Sequence, residues 1–130
     1  MGTLRVMVVD DFAGVADGLS SLLRRWGHTS RAAYSGPQAL AVARKFRPDV
    51  ALLDLGLPRM DGYEVGRRLR QLPGLGGLRL LAVTGRADAE YERRSQEAGF
   101  AGMVKPLNFV RLKKLLDVLA REKARRPQAP

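Results

Sequence analysis

The chain has no cysteine, so it can form neither a disulfide nor a thiolate metal site. That composition fits a reducing cytosol. No apolar run approaches the roughly 20 residues of a membrane span. The N-terminus lacks a secretory pattern, because Arg5 interrupts a short apolar run that then meets Asp10-Asp11. Myristoylation after Met1 is disfavoured too, since Val6 stands where Ser or Thr is required. Low-complexity segments, linkers and internal repeats are also missing. The expectation is a cytoplasmic domain without membrane insertion. Its 130 residues match the size of one domain. A chain this long buries roughly two-thirds of its unfolded surface and needs no staple.

Acidic residues are scarce beside basic ones, 13 against 23, for a net charge of +10. Such a balance can signal nucleic acid or an anionic surface. Its distribution argues against one patch. Arg24-Arg25, Arg44-Lys45, Arg67-Arg68 and Arg93-Arg94 fall on four different expected helices and read as solvated faces. The densest basic stretch is the last, Arg111 to Arg126.

Apolar runs and amphipathic segments alternate along the chain. Leu4–Val9 reads as a buried strand. Val15, Leu19, Leu22 and Trp26 recur at helical spacing, with Gly27 as the stop. Thr29–Ala33 is a weak second strand. Ser35 and Gln38 have capping-box spacing and open a helix with apolar face Ala39, Leu40, Ala43 and Phe46, closed by Pro48. Val50–Leu53 is the third strand. Asp61 and Glu64 form another capping-box pair before Val65, Leu69 and Leu72. Pro73–Gly77 is a loop and Leu78–Val83 the fourth strand. Asp88 opens a short charged helix ending at Gly99, and Ala101–Val104 is the fifth strand. Asn108 caps a last helix with Phe109, Leu112, Leu115, Leu116 and Leu119 on its apolar face. The pattern is five βα units, hence an α/β fold with a parallel sheet covered on both faces. Residues 1–122 are expected to form the domain and 123–130 a frayed basic tail.

Ligands of open α/β sheets bind outside the carboxyl ends of the strands. Asp10 and Asp11 follow the first strand, Asp54 the third, Thr84 the fourth, and Lys105-Pro106 the fifth. Alone, each has an ordinary explanation: a helix cap, a turn, a solvated charge. Together they deliver carboxylates, a hydroxyl and an ammonium to one rim. Clustered carboxylates repel one another unless a cation intervenes, and all-oxygen ligation suits Mg²⁺ or Mn²⁺. A carboxylate is also a competent nucleophile toward phosphorus. The cation, Lys105 and Thr84 could neutralise a transferring phosphoryl group.

The motifs Val8-Val9-Asp10-Asp11, Pro48 to Pro58 around Asp54, Met60-Asp61-Gly62-Tyr63-Glu64, Leu81 to Gly85 and Val104-Lys105-Pro106 resemble, in order and spacing, the response-regulator receiver family. The likeness runs from Leu4 to about Leu119. It implies a flavodoxin-like (βα)5 three-layer sandwich with strand order 2-1-3-4-5, the order of a chemotaxis member of the family. It also implies that Asp54 is the phosphoacceptor, and that Asp10, Asp11, Asp54 and the Gly56 carbonyl hold Mg²⁺. Lys105 and Thr84 would contact the phosphoryl group. The donor would be a phosphohistidine on a sensor histidine kinase or a histidine phosphotransfer protein. The Lys105-Pro106 bond is cis in many relatives.

Two positions depart from the family pattern. Phe12 stands where a polar residue is common; it is expected to pack on the first helix, with contact to a partner as the alternative. Gly102 replaces the aromatic that usually accompanies the threonine, with Phe100 available in a shifted register. A switch would then fall to the loop after Thr84, where Gly85 can absorb backbone change. Gly56 and Arg86, two residues past Asp54 and Thr84, offer no carboxylate or amide to orient water, so a long-lived phosphoryl state is expected.

The resulting expectation is a single-domain response regulator, a monomer or weak dimer. It would be a signalling phosphoacceptor and not an enzyme in its own right, docking a downstream protein or passing its phosphoryl group onward. Two alternatives stay open. One is a receiver piece of a larger regulator or hybrid kinase. The other is a phosphorylation-independent module binding protein or nucleic acid through the basic C-terminal helix. A phosphohydrolase is disfavoured, because Gly56 stands where such enzymes carry a second aspartate.

Overall fold

The structure, a computed structural model, describes residues 3–57, 60–84, 93, 94, 96, 97, 99–104 and 108–125. Five strands form one parallel sheet: β1 (Arg5–Val9), β2 (Thr29–Ala33), β3 (Val50–Asp54), β4 (Arg79–Thr84) and β5 (Phe100–Val104). Their order is β2-β1-β3-β4-β5. Helices α1 (Ala13–Arg25), α2 (Gly36–Phe46), α3 (Gly62–Gln71) and α4 (Phe109–Arg125) alternate with them. The helix expected between Asp88 and Gly99 falls mostly outside the described residues.

Side chains alternate across the sheet, as strand geometry requires. Met7, Val9, Ala51, Leu53, Leu80 and Ala82 face α2 and α3. Val6, Val8, Val50, Leu52 and Leu81 face α1 and α4. Both faces are covered, which is why β1 and β3 read as unbroken apolar runs.

Two helices depart from the sequence expectation, α1 by its rotation and the last helix at its first residue. α1 buries Ala16, Leu19, Ser20 and Leu23, whereas Val15 is 47% exposed. The inward stripe therefore includes a serine, made tolerable because Ser20 Oγ donates to Ser30 Oγ at 2.7 Å. Phe109 is exposed, while Leu112, Leu116, Leu119 and Ala120 are buried. Phe109 is the first residue of α4, before that helix meets the core.

The caps were partly legible. Ser35 Oγ accepts from Gln38 N at 3.2 Å. Gln38 Oε1 in turn accepts from Tyr34 N at 2.7 Å. Asn108 Oδ1 accepts from Arg111 N. Asp61 caps α3 through Tyr63 N at 2.9 Å. Glu64 does not complete the expected box. It pairs with Arg67 and Arg68 at 2.5 and 3.0 Å, which hold its carboxyl down to about 2. Gly27, just past α1, has the positive φ of a helix stop.

α4 continues to Arg125, three residues beyond the expected end of the domain at Glu122. Lys123 Nζ donates to Thr3 O at 3.1 Å and to Asp49 Oδ2 at 2.8 Å. This clasp ties the end of the last helix to the amino edge of the sheet.

Candidate metal and phosphoryl site

The site follows from strand register. β1 and β3 pair in parallel with Val9 opposite Leu53. The next residue of each strand is then an aspartate, Asp10 beside Asp54. Asp10 N donates to Ala33 O at 3.1 Å, which extends the sheet by one residue and fixes where its side chain emerges. Asp11 follows at the turn into α1. One carboxylate oxygen from each of Asp10, Asp11 and Asp54 lies within 4.8 Å of the others. Asp10 is buried, Asp54 half-buried and Asp11 exposed.

Two short bonds orient these carboxylates. Asp10 Oδ1 accepts from Phe12 N at 2.9 Å, and Asp54 Oδ1 accepts from Gly56 N at 2.9 Å. Neither acid caps α1, whose N-cap is Phe12 without a side-chain cap bond. The capping explanation for the acidic pair therefore fails. Three oxygen donors this close, one of them buried, suit a small hard cation and fit no apolar ligand. Such a cation would relieve the repulsion among them. The Gly56 backbone lies next to Asp54, its amide donating to that carboxylate.

The remaining expected residues divide. Thr84 ends β4; Val83 pairs with Asp54, so the Thr84 backbone stands one residue beyond the partner of Asp54, at the same rim. Lys105, Pro106 and Gly85 lie outside the described residues, as does Arg86. Gly102 pairs with Ala82, midway along the edge strand β5. Phe100 is not a shifted substitute for the missing aromatic. It pairs with Leu80 at the far end of β5, is 5% exposed, and meets Tyr63 edge-on at 5.7 Å. Phe12 is 69% exposed, with its ring lying beside Gly14 in the first turn of α1.

Sequence reasoning missed one residue that shapes the site. A Cβ on Gly62 would lie 2.8 Å from Leu55 Cα and 3.0 Å from Asp54 O. The start of α3 thus presses directly on the backbone of Asp54 and Leu55, and only glycine permits that approach. The signal was its place just after the Asp61 cap, where an ordinary residue also serves. Only the tertiary contact distinguishes the two cases.

A family model described as the response regulator receiver domain matches residues 6–117. The chain belongs to the response regulator receiver domain family. Among curated relatives, the DNA-binding response regulator MtrA of Mycobacterium tuberculosis is 43% identical over 84 residues, covering 65% of this chain and 37% of that protein. The sensor histidine kinase RcsC of Salmonella typhi is 36% identical over 127 residues, covering 97% of this chain and 13% of the kinase. This receiver chain therefore spans less than half the length of these relatives. Among solved structures, the chemotaxis protein CheY4 of Vibrio cholerae superimposes with a TM-score of 0.83 at 30% identity, covering 90% of this chain and 98% of that one. The receiver domain of a histidine kinase from Syntrophus aciditrophicus gives 0.83 at 26% identity, covering 100% and 98%. Receiver domains of this kind serve phosphorylation-dependent two-component signalling, and the acidic cluster is where such a domain binds Mg²⁺. No helix among the described residues is long and apolar enough to cross a membrane.

Proposed function

We propose that this receiver accepts a phosphoryl group on Asp54 from the phosphohistidine of a sensor kinase or histidine phosphotransfer protein. A carboxylate oxygen of Asp54 attacks phosphorus, the P–N bond breaks, and the released imidazole takes up a proton. Asp10, Asp11, Asp54 and the Gly56 carbonyl would hold Mg²⁺, which would supply positive charge to offset that of the transferring group. Thr84 and Lys105 contact the phosphoryl oxygens. The observation that carries this reading is the convergence of three carboxylates from two adjacent strands within 4.8 Å.

Phosphorylation then controls docking to a downstream protein or onward transfer to another histidine, in the cytoplasm. The exposed Phe12 and Val15, beside the acids at the start of α1, suit contact with the donor's helices. The test is intact-mass measurement after incubation with Mg²⁺ and acetyl phosphate. A single phosphoryl adduct is expected on wild type and none on Asp54→Asn. An adduct of equal yield on Asp54→Asn would overturn the assignment.

A further inference from the structure

Between Asp17 and Asp49 the chain holds no acidic residue, yet it carries Arg24, Arg25, Arg31, Arg44, Lys45 and Arg47. Along the sequence these cations look scattered; the fold collects them. The helix of a βα unit runs back against its strand, so α1 and α2 both end at the amino edge of the sheet. β2, an outermost strand, runs between those two ends. Arg24 Nη1 donates to Ser30 O of β2 at 3.3 Å. Arg31, the next residue, has its guanidinium 6.0 Å from the centre of the Phe46 ring. Arg5 lies over the same ring at 4.7 Å and donates through Nε to Phe46 O at 2.7 Å. Arg44, Lys45 and Arg47 lie within two residues of Phe46. Arg5, Arg24, Arg31, Arg44, Lys45 and Arg47 are all exposed.

The acids that bracket this segment are engaged elsewhere. Asp17 accepts from the Tyr34 hydroxyl at 2.5 Å, and Asp49 pairs with Lys123 at 2.8 Å. None of the six cations forms an ion pair among the described residues. Helix C-termini favour cations, which accounts for Arg24, Arg44 and Lys45. It does not account for Arg5 and Arg31, which stand on strands. Nor does it account for Arg47, whose φ of 54° is the left-handed cap that glycine usually fills. Its Nη2 donates to Pro73 O at 2.9 Å. A long cationic side chain kept there against backbone preference points to a use for it.

We infer that this cluster at the amino edge is a docking surface for the phosphate backbone of duplex nucleic acid, without regard to base sequence. Five of the six cations are arginines, whose planar forks match phosphate oxygens in pairs. Arg5, Arg24 and Arg47 are already held by backbone carbonyls, so less side-chain freedom is lost on contact. A second copy of this chain is disfavoured, because a symmetric contact would oppose like charges. None of the exposed large apolar side chains belongs to the cluster, so a bilayer finds no anchor and a protein partner no apolar hot spot. What remains is a ridge of charge, which suits a surface read through its phosphates alone. Asp10, Asp11 and Asp54 lie at the opposite edge of the sheet. The polyanion would repel them and attract the arginines, so the molecule would approach by its amino edge and leave the acids facing solvent. The inference does not depend on the assignment of Asp54.

The experiment uses the full chain and a fluorescein-labelled DNA duplex of about 20 base pairs, followed by anisotropy between about 50 and 200 mM NaCl. A second duplex of unrelated sequence, a polyglutamate peptide, and phosphatidylcholine vesicles with phosphatidylserine are compared at the lowest salt. With about three or four phosphates engaged, log K should fall against log salt with a slope near roughly −3, and Kd should be on the order of 10 µM at the lowest salt. The two duplexes should agree within about twofold. Arg31→Gln, Arg44→Gln and Lys45→Gln should each weaken binding about three- to tenfold and flatten the slope by about 0.9. Lys114→Gln, on the last helix and away from the amino edge, should change neither. Arg47→Gly removes a cation and relieves the left-handed backbone, so it should lose affinity yet melt at or above the wild-type temperature. That pairing separates lost binding from lost fold. A salt-independent affinity, tighter binding to the peptide or the vesicles than to the duplex, or wild-type binding by Arg31→Gln and Arg44→Gln would overturn the proposal.

Discussion

The same substitution, glycine to alanine, should change stability with opposite sign at two helical positions. At Gly62 the new Cβ meets Leu55 Cα at 2.8 Å, Asp54 O at 3.0 Å and Leu55 Cδ2 at 3.0 Å. The nearest is 0.6 Å inside the 3.4 Å at which ordinary contact begins. Two of the three atoms are backbone, so relief requires moving the end of β3 or the start of α3. Overpacking of this kind costs about 1–3 kcal/mol, and the helix preference of alanine returns at most about 1 kcal/mol. The net loss is about 1–2 kcal/mol, or ~4–7 °C of melting temperature for a domain of this size. Gly18 sits in α1 with nothing within 4 Å of its added Cβ. There, alanine should stabilise by about 0.5–1 kcal/mol, raising the melting temperature by ~2–4 °C. Thermal denaturation followed at 222 nm measures both. Because the Gly62 clash falls on the carbonyl of Asp54, phosphorylation by acetyl phosphate should also slow by about tenfold in Gly62→Ala, against no change in Gly18→Ala. A Gly62→Ala protein melting at or above wild type would refute the packing argument.

Three further outcomes are expected. His28 is buried, and its Nδ1 accepts from Leu4 N at 3.1 Å, a bond that needs the neutral ring. Burial lowers its pKa, against Asp117, which raises it, and with Lys113, which lowers it further. The unfolded chain therefore binds the proton more readily, so stability is complete above the unfolded value near 6.5 and declines as pH falls through it. Urea midpoints at pH 7.5 and 5.5 should show that decline, and His28→Asn should flatten it. Ser35→Ala should cost about 1 kcal/mol through loss of the α2 cap, with Ser35→Asp close to wild type in the same melts. Finally, Gly56 offers no side chain to orient a water beside Asp54, so the phosphoryl adduct should persist for minutes in Mg²⁺; its loss within seconds by intact mass would contradict this.

Much of this molecule was legible because each signal was local. Val6 to Val9 and Val50 to Leu53 are buried on both faces, and that burial writes itself as an uninterrupted apolar run. Asp10, Asp11 and Asp54 could be assigned to one rim because parallel strands expose their carboxyl ends on the same side. The caps at Ser35, Asp61 and Asn108 act within three residues and need no distant partner. What the sequence left open depended on rotation and on contacts far along the chain. The apolar stripe of α1 could be drawn through Val15 or through Ala16, and the second face is the inner one, with Ala16 and Leu23 packed in the core and Ser20 bonded to Ser30. Phe100 looked free to replace the aromatic missing at Gly102 until the register placed it opposite Leu80, in the core. Gly62 matters because Leu55 and Asp54 lie against it, and α4 extends to Arg125 with Lys123 anchored on Thr3 and Asp49. Residue type and spacing thus decided which strands form and which acids meet. Packing between elements distant in sequence decided which way each helix turns and which glycines cannot change.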